Sequence, residues 1–565
     1  MTPRNDYSDW SKEDLIKKIK TLEKRKKYGL VWDSAREPEQ VVLDCQNELP
    51  VLKEIKDKEV QSGEDDVTHI LIEGDNYHAL CVLNYTHEKA VDLIYIDPPF
   101  NTGSKSWKYN NNYIEKDDPY RHSRWLSFMS SRLKLARNLL ADDGIIIVAI
   151  DDYEYHTLRA LMDELYNENR RLGTIVVVHN PRGRNDDKFF ATMHEYMLVY
   201  GRNTDHTTIQ RFDYKEEELD EFNKADEISA YTETTFMRTG NNSDRDTRPN
   251  LYYPIYYSPD VGEMSLSEHK GWVELLPINP KGEEKTWRWG KETFSQNWKT
   301  ELTVRQSKGI YRIFKKRRII NIRGKKPRTV WSGSRYDASS NGIMVLNAIL
   351  GNKHGFPYPK SIYTERDIIK LCSKPDSIVL DFFAGSGTTG HAVLDLNQED
   401  GGRRQFILCT NNENNICTEV CYPRIQRVMN GYKNAKGEVV EGLGGNLKYY
   451  QTAFVPASPT DKNKELLTKQ SIEMLTLKEG TFEEVTENPS YCIYRNSERY
   501  TGIIFDQCSF ADFKKAVSKV KKPISLYIFS LADEDFSDDF ADMKGLVKIS
   551  AIPESILRVY RRIFR

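Results

Sequence analysis

The chain has no run of roughly 18 apolar residues, so it offers no candidate for a membrane-spanning helix. Its first ten residues, MTPRNDYSDW, lack the apolar core of a secretory signal, and a cytoplasmic location is expected. Cysteine is scarce: eight residues, at positions 45, 81, 372, 409, 417, 421, 492 and 508, are scattered through 565. That is too few for a disulfide scaffold and fits a reducing compartment. Cys417 and Cys421 stand four apart, as two ligands on one helix would. No second pair or histidine accompanies them, so no metal is expected. An excess of one charge is also missing, since 82 basic against 84 acidic residues give a formal net charge of −2. A nucleic-acid surface, if there is one, must therefore be a local patch. Neither an internal repeat nor a low-complexity tract is present.

What is present begins with a core. The composition is 39% hydrophobic and 29% charged, and the length suggests roughly three to five structural units. The chain is organised around LIYIDPPFNTG, Leu93 to Gly103. Leu93–Ile96 is an apolar run of the length of one buried strand. Pro98 and Pro99 carry no N–H, so the strand ladder cannot continue through them. A carboxylate (Asp97), two free carbonyls and an aromatic ring (Phe100) then stand at a strand's carboxyl end, where open α/β sheets bind ligands. Such a turn offers an acceptor pair for an amino group and a face for a flat ring. The plainer reading is an ordinary strand-terminal turn.

Around that stretch, strands and helices alternate. A helix is expected over 11–28, its Lys-rich face read as solvated, and a linker or exposed helix over 53–66. Strands are expected at 69–72, 91–96, 145–150 and 174–178, with helices at 121–140 and 152–169 between them. Between the DPPF turn and the helix at 121 lies a long polar and aromatic loop through Trp107, Tyr109, Tyr113 and Tyr120. This alternation argues for a mainly parallel, doubly wound α/β sheet. The rhythm is absent over 201–335, which holds an acidic run (Lys215 to Glu221) and then Tyr311–Arg328, YRIFKKRRIINIRGKKPR. The latter has nine Lys or Arg and no acid. We expect a strand pair turning at Gly324 and a phosphate-contacting surface from Lys315, Lys316, Arg317, Arg318, Lys325, Lys326 and Arg328.

The α/β rhythm returns with a strand at 377–380, the turn Asp381-Phe382-Phe383-Ala384-Gly385-Ser386-Gly387-Thr388 and a helix. Strand, Gly-x-Gly, helix is the arrangement that holds a nucleotide-like cofactor. It is not a P-loop, because no lysine follows Gly387. Glu413, past a strand at 405–409, is placed to accept from ribose hydroxyls. Beyond 456, helix is expected at 462–477, 510–520 and 553–565, and strand at 490–505 and 524–530.

Taken together, LIYIDPPFNTG followed by LDFFAGSGTTG resembles the S-adenosylmethionine-dependent amino-methyltransferases of DNA. The catalytic motif comes first and the cofactor motif last, with a target-recognition region between, as in the β class. KKYGLVWD, IEGDNYHAL, HSRWLSFMSSRL, GIIIVAIDDYE, HEYMLVY, FPYPKS and GHAVLDLN look like the modification (Mod) subunits of type III restriction-modification systems and their orphan relatives. The resemblance covers about residues 10–200 and 340–455.

The resemblance implies a Rossmann-like methyltransferase fold divided as follows: an N-terminal helical segment (1–65), a catalytic half (66–200), a target-recognition insertion (201–340), a cofactor half (341–455) and a small α+β C-terminal domain (456–565). It implies base flipping, with Asp97 and the Pro98 carbonyl accepting the amino hydrogens, Pro99 shaping the turn and Phe100 stacking on the base. Asp381, Phe382, Phe383, Gly385, Gly387, Thr388 and Asn397 would line the cofactor, Glu413 would meet its ribose, and Lys360 or Ser361 its carboxylate. Asp rather than Ser at position 97 implies adenine N6. The implied partners are duplex DNA, a second copy of the chain and a separate helicase–nuclease subunit. The setting is a prokaryotic cytoplasm, at the nucleoid. The alternatives are cytosine-N4 or RNA methylation by the same machinery, or a DNA-recognition subunit serving a nuclease.

Overall fold

In the computed structural model the described residues are 11–13, 15, 16, 39–63, 66–101, 121–183, 188–434, 436–532 and 534–564. Most of the helix expected over 11–28 and the whole aromatic loop through Trp107 and Tyr120 lie outside them. The described residues form two compact units: 1–210 with 328–565, and 211–327.

The larger unit is built on a ten-stranded sheet. Its strands are β1 (Glu48–Glu54), β2 (Thr68–Glu73), β3 (Val91–Ile96), β4 (Leu140–Ile150), β5 (Arg171–Val178), β6 (His194–Gly201), β7 (Val330–Trp331), β8 (Ile378–Asp381), β9 (Gln405–Thr410) and β10 (Asn446–Pro456). The order is β1-β10-β2-β9-β8-β3-β4-β6-β5-β7. From β10 to β4 all neighbours are parallel, while β1 and β6 pair antiparallel with β10 and β4. Leu93, Ile94, Tyr95 and Ile96 of β3 are buried, as a central parallel strand covered on both faces requires. The helices that concern the site are α1 (Asn76–Thr86), α2 (Arg121–Leu139), α3 (Tyr155–Met162), α4 (Ile362–Cys372), α5 (Thr388–Asp400) and α6 (Tyr422–Asn430).

Three expectations change. The described part of the 53–66 segment is not one linker or one exposed helix: Lys53 and Glu54 end β1, Lys56–Lys58 make a single 3-10 turn and Val60 bridges Leu447. That strand is hard to read because Pro50 interrupts it. Proline is tolerated here because β1 is the outermost strand and one side of its backbone needs no partner. The helix expected at 462–477 is two, Asp461–Lys469 and Ile472–Glu479. The segment after 456 forms its own five-stranded sheet, but Ile552, Ile556 and Tyr560 enter the same apolar core as Val82, Leu83 and Tyr85. The Tyr560 hydroxyl also donates to the Pro50 carbonyl.

The unit 211–327 is mostly antiparallel. A four-stranded sheet runs in the order 302–307, 310–318, 230–235, 224–225, beside a three-stranded sheet of 264–265, 255–257 and 273–275. Phe236, Tyr253, Ile255, Trp287, Phe294, Leu302 and Ile313 form its core. The hairpin of the basic run turns at Lys308-Gly309, not at Gly324. Strand 310–318 therefore carries Lys315 to Arg318 in the middle of a sheet rather than beside a turn.

Candidate active site

The Asp97 turn sits where β3 ends, and the Gly-rich turn where β8 ends. β3 and β8 are adjacent and parallel, so both turns open on one edge of the sheet. They also meet where the chain's two halves meet: β3 runs on to β4 on one side, β8 to β9 on the other. Crevices at such switch points are where α/β sheets bind ligands.

The DPPF turn is held from behind. Trp125 of α2 donates its indole N–H to the Pro99 carbonyl at 2.8 Å. One of the two carbonyls freed by the prolines is therefore engaged by the protein. Asn101, which closes the turn, has φ +57°, and its amide reaches Glu154 Oε1 at 2.5 Å. Glu154 is fully buried and also meets His122 Nδ1 at 2.6 Å and the Thr157 hydroxyl. Nothing in the residues around the motif pointed to Trp125 or Glu154 as supports, because both lie far from it along the chain.

The Gly-rich turn is equally fixed. The Phe383 N–H donates to Asp381 Oδ1 (2.9 Å), and the Thr389 hydroxyl lies 2.6 Å from Asp381 Oδ2 and 2.8 Å from Glu365 Oε2. Burial pushes the Asp381 carboxyl up to about 7 and Glu365 well above the carboxylate range. Asn76 of α1 donates to the Phe382 carbonyl at 2.9 Å. Gly385 and Gly387 have φ of +51° and +76°, left-handed values that disfavour any side chain. Gly387 caps α5, and a Cβ there would come within 3.2 Å of Cys421 Sγ. Arg424 of α6, fully buried, donates to Ser386 Oγ (3.1 Å) and Thr388 Oγ1 (2.8 Å). Sequence reasoning missed Arg424 altogether; nothing local distinguishes it from other arginines of an amphipathic helix.

The remaining expected cofactor residues divide. Glu413 follows the carboxyl end of β9, the neighbour of β8, which is the same sheet edge. The Ser361 hydroxyl is committed to the Arg335 carbonyl at 3.0 Å. Asn397 lies in the third turn of α5. Its amide is closed on the backbone of Arg404 (2.8 and 3.0 Å), so it ties the helix to the start of β9 rather than to the glycine turn. Lys360 lies beside the DPPF turn instead. Its ammonium is 3.2 Å from Asp97 Oδ1, 2.5 Å from Glu195 Oε2 and 4.8 Å from the centre of the Phe100 ring. Burial alone would lower this ammonium; the carboxylates of Asp97 and Glu195 outweigh it and hold it above its ordinary value. For Asp97, burial prevails over Lys360 and raises the carboxyl to about 6.

In the 211–327 unit the basic run is compensated by acids distant in sequence. Arg318 is buried and bound to Asp226 (2.7 Å) and Glu301 (2.8 Å). Lys316 meets Asp226 at 2.7 Å, Arg317 meets Glu221 at 3.0 Å and Lys325 meets Glu218 at 2.6 Å. Arg318, and after it Lys316, hold the Asp226 carboxyl far below the usual range. Lys316 and Arg318, both expected to face phosphates, are thus ion-paired inside the unit while also lining its cavity. Lys315 lies over the Trp289 ring at 4.8 Å, and Lys326 and Arg328 are exposed. A cavity of about 500 Å³ opens here, lined among others by Arg211, Tyr214, Arg288, Trp289, Lys315 and Arg323. We expect Arg318→Ala to lower the stability of this unit by about 2–3 kcal/mol, as loss of a charged hydrogen-bonded pair does. Hydrogen exchange of the amides in 230–235 and 310–318 would measure it, and unchanged protection would contradict the structural role.

A family model described as DNA methylase matches residues 91–420 of the chain. The type II methyltransferase M.KpnI of Klebsiella pneumoniae is 36% identical over 352 residues, which span 62% of this chain and 82% of that protein. The type III restriction-modification enzyme EcoPI Mod subunit of Escherichia phage P1 is 33% identical over 393 residues, 64% of this chain and 60% of the subunit. The solved structure of the PvuII DNA methyltransferase (cytosine-N4-specific) aligns with 64% of this chain and 87% of its own, at 13% identity and a TM-score of 0.31.

Proposed function

This chain belongs to the DNA methylase family, and from that premise we propose that it methylates the exocyclic N6 amino group of adenine in duplex DNA. The observation that carries the reading is the placement of Asp97-Pro98-Pro99-Phe100 and the Gly385–Gly387 turn on adjacent parallel strands, opening on one sheet edge. The residues fit S-adenosylmethionine. The left-handed backbone at Gly385 and Gly387 makes a tight turn with bare backbone at the sheet edge where a ligand can approach closely, and the Asp97 side chain stands at the same edge. That cofactor, when bound, supplies an electrophilic methyl group.

The chain's own residues do the rest by positioning, and no metal is needed. Asp97 and the Pro98 carbonyl accept the two amino hydrogens, which draws the nitrogen lone pair out of ring conjugation and makes it nucleophilic. Phe100 stacks on the extruded base. Phe383 and the glycines line the cofactor, and Glu413 takes the ribose. Asp at position 97 favours adenine over cytosine.

We assign target recognition to the 211–327 unit. The chain resembles Mod subunits, and we infer that it works as a dimer in a type III-like system beside a helicase–nuclease subunit, in the cytoplasm. No helix among the described residues is long and apolar enough to cross a membrane. The test is transfer of radiolabelled methyl onto duplex DNA, single-stranded DNA and RNA, followed by nucleoside analysis. N6-methyladenine from duplex DNA is expected; label in N4-methylcytosine or only in RNA would overturn the reading.

The cavity of the 211–327 unit gives a second expectation. Arg288→Ala, Lys315→Ala and Arg323→Ala together should weaken binding to all duplexes and reduce the slope of log K against log salt by about two to three. S-adenosylmethionine affinity should not change. An unchanged slope in a folded variant would mean that this face does not contact phosphates.

A further inference from the structure

We propose that Lys360, held in place by Glu195, is the cation that keeps the Asp97 carboxylate ionised and pairs with its Oδ1, leaving Oδ2 as the acceptor for the substrate amino group. This rests on Asp97 being that acceptor. It replaces the expectation that Lys360 serves the cofactor's carboxylate.

The argument begins with Glu195. It stands on β6, is 2% exposed, and puts Oε2 2.5 Å from the Lys360 ammonium. A buried carboxylate is costly unless a cation meets it, and Lys360 is that cation. Lys360 in turn sits at 3.2 Å from Asp97 Oδ1 and 4.8 Å from the Phe100 ring centre, so it touches both ends of the DPPF motif. Its backbone is pinned. A Cβ at Gly342 would approach the Pro359 and Lys360 carbonyls to 2.3 and 2.9 Å, and the next residue, Ser361, donates to the Arg335 carbonyl. A lysine meant to reach for a ligand has no need of two carboxylates on its ammonium.

The charges around Asp97 show why a cation is needed. Glu195 faces it from β6, Asp381 from the end of β8, Glu365 from α4, and Tyr95 from its own strand. Lys360 is the cation that acts on Asp97 itself, while Arg424 acts on Glu365. Burial and the Glu195 carboxylate both favour the neutral acid. A neutral carboxyl would present a donor where the amino group needs an acceptor.

The experiment is the pH dependence of kcat/KM for wild type, Lys360→Met, Lys360→Arg and Glu195→Gln, with cofactor affinity measured by calorimetry. Lys360→Met removes the counter-charge, so the acid limb should move up by about 1–3 pH units. Lys360→Arg should bring it back towards wild type. Glu195→Gln keeps an acceptor for the ammonium and removes one negative charge, so its limb should move down. S-adenosylmethionine affinity should stay within about twofold in all three. Opposite shifts cannot arise from a merely structural role, which would lower the rate at every pH alike. Equal losses at all pH values, or unshifted limbs, would overturn the pair. So would a tenfold or greater loss of cofactor affinity in Lys360→Met with an unshifted limb, which would return Lys360 to the cofactor. An active Asp97→Ala enzyme would fault the assignment of Asp97, whatever the pair does.

Discussion

Asp97→Ala is expected to lower kcat by about 10³-fold or more while leaving a folded protein that still binds DNA and S-adenosylmethionine. The size follows from the chemistry. The exocyclic nitrogen of adenine is a poor nucleophile because its lone pair is delocalised into the ring, and only an acceptor aimed at its hydrogens localises that pair. Trp125 already occupies the Pro99 carbonyl, so the acceptors left in this turn are Asp97 and the Pro98 carbonyl. Losing one of two leaves little. The fold should survive because Lys360 keeps its 2.5 Å contact with Glu195 when Asp97 is gone, so no buried cation is stranded. The check is single-turnover methyl transfer alongside calorimetry and duplex binding. Turnover near wild type would remove Asp97 from the mechanism. Loss of DNA binding of the same size would make its role one of affinity.

Gly387→Val is expected to weaken S-adenosylmethionine binding by about ten- to a hundredfold, the equivalent of 1–3 kcal/mol of backbone strain and displaced loop. At φ +76° a β-branched residue is disfavoured on steric grounds alone. The new Cβ also meets Cys421 Sγ at 3.2 Å and Ile425 at 3.4 Å, buried neighbours with little room to retreat. The turn must then shift, and with it Ser386 and Thr388, whose hydroxyls Arg424 holds. Gly387→Ala should show the same effect at smaller size. Calorimetry on a variant shown to be folded decides the matter, and an unchanged affinity would exclude this turn from the cofactor site.

Much of the site is local in sequence and was legible there. A short apolar run ending in Asp-Pro-Pro-Phe can only be a strand stopped at its carboxyl end, because the prolines cannot donate to a ladder. An apolar run ending in Gly-x-Gly before a helix is the other half of the same logic. β3 has the bounds expected, and β8 differs by one residue. Alternation of strand and helix likewise announced a parallel sheet, and its loss after residue 200 announced a different architecture over 211–327. These inferences rest on forces that act within a few residues: backbone sterics, missing donors and side-chain period.

What the sequence could not decide is which distant charges meet. In sequence the basic run has no acid; in space Glu218, Glu221, Asp226 and Glu301 reach four of its cations, and Arg318 is buried. Lys360 seemed placed for the cofactor's carboxylate and instead joins Asp97 to Glu195, a residue 165 positions away. Asn397 looked like part of the cofactor helix's working end, yet its amide faces Arg404. Pro50 is accommodated in β1 because the sheet makes that strand an edge. Strand and turn are set by a residue's neighbours along the chain. The partner of a buried charge is set by whichever group the packed fold brings within about 4 Å, because only there does attraction offset the loss of water. The sequence by itself therefore determined the two motifs, their order and the sheet that carries them. Only the tertiary structure decided which carboxylates and cations surround Asp97, and so which charges govern the group at the centre of the site.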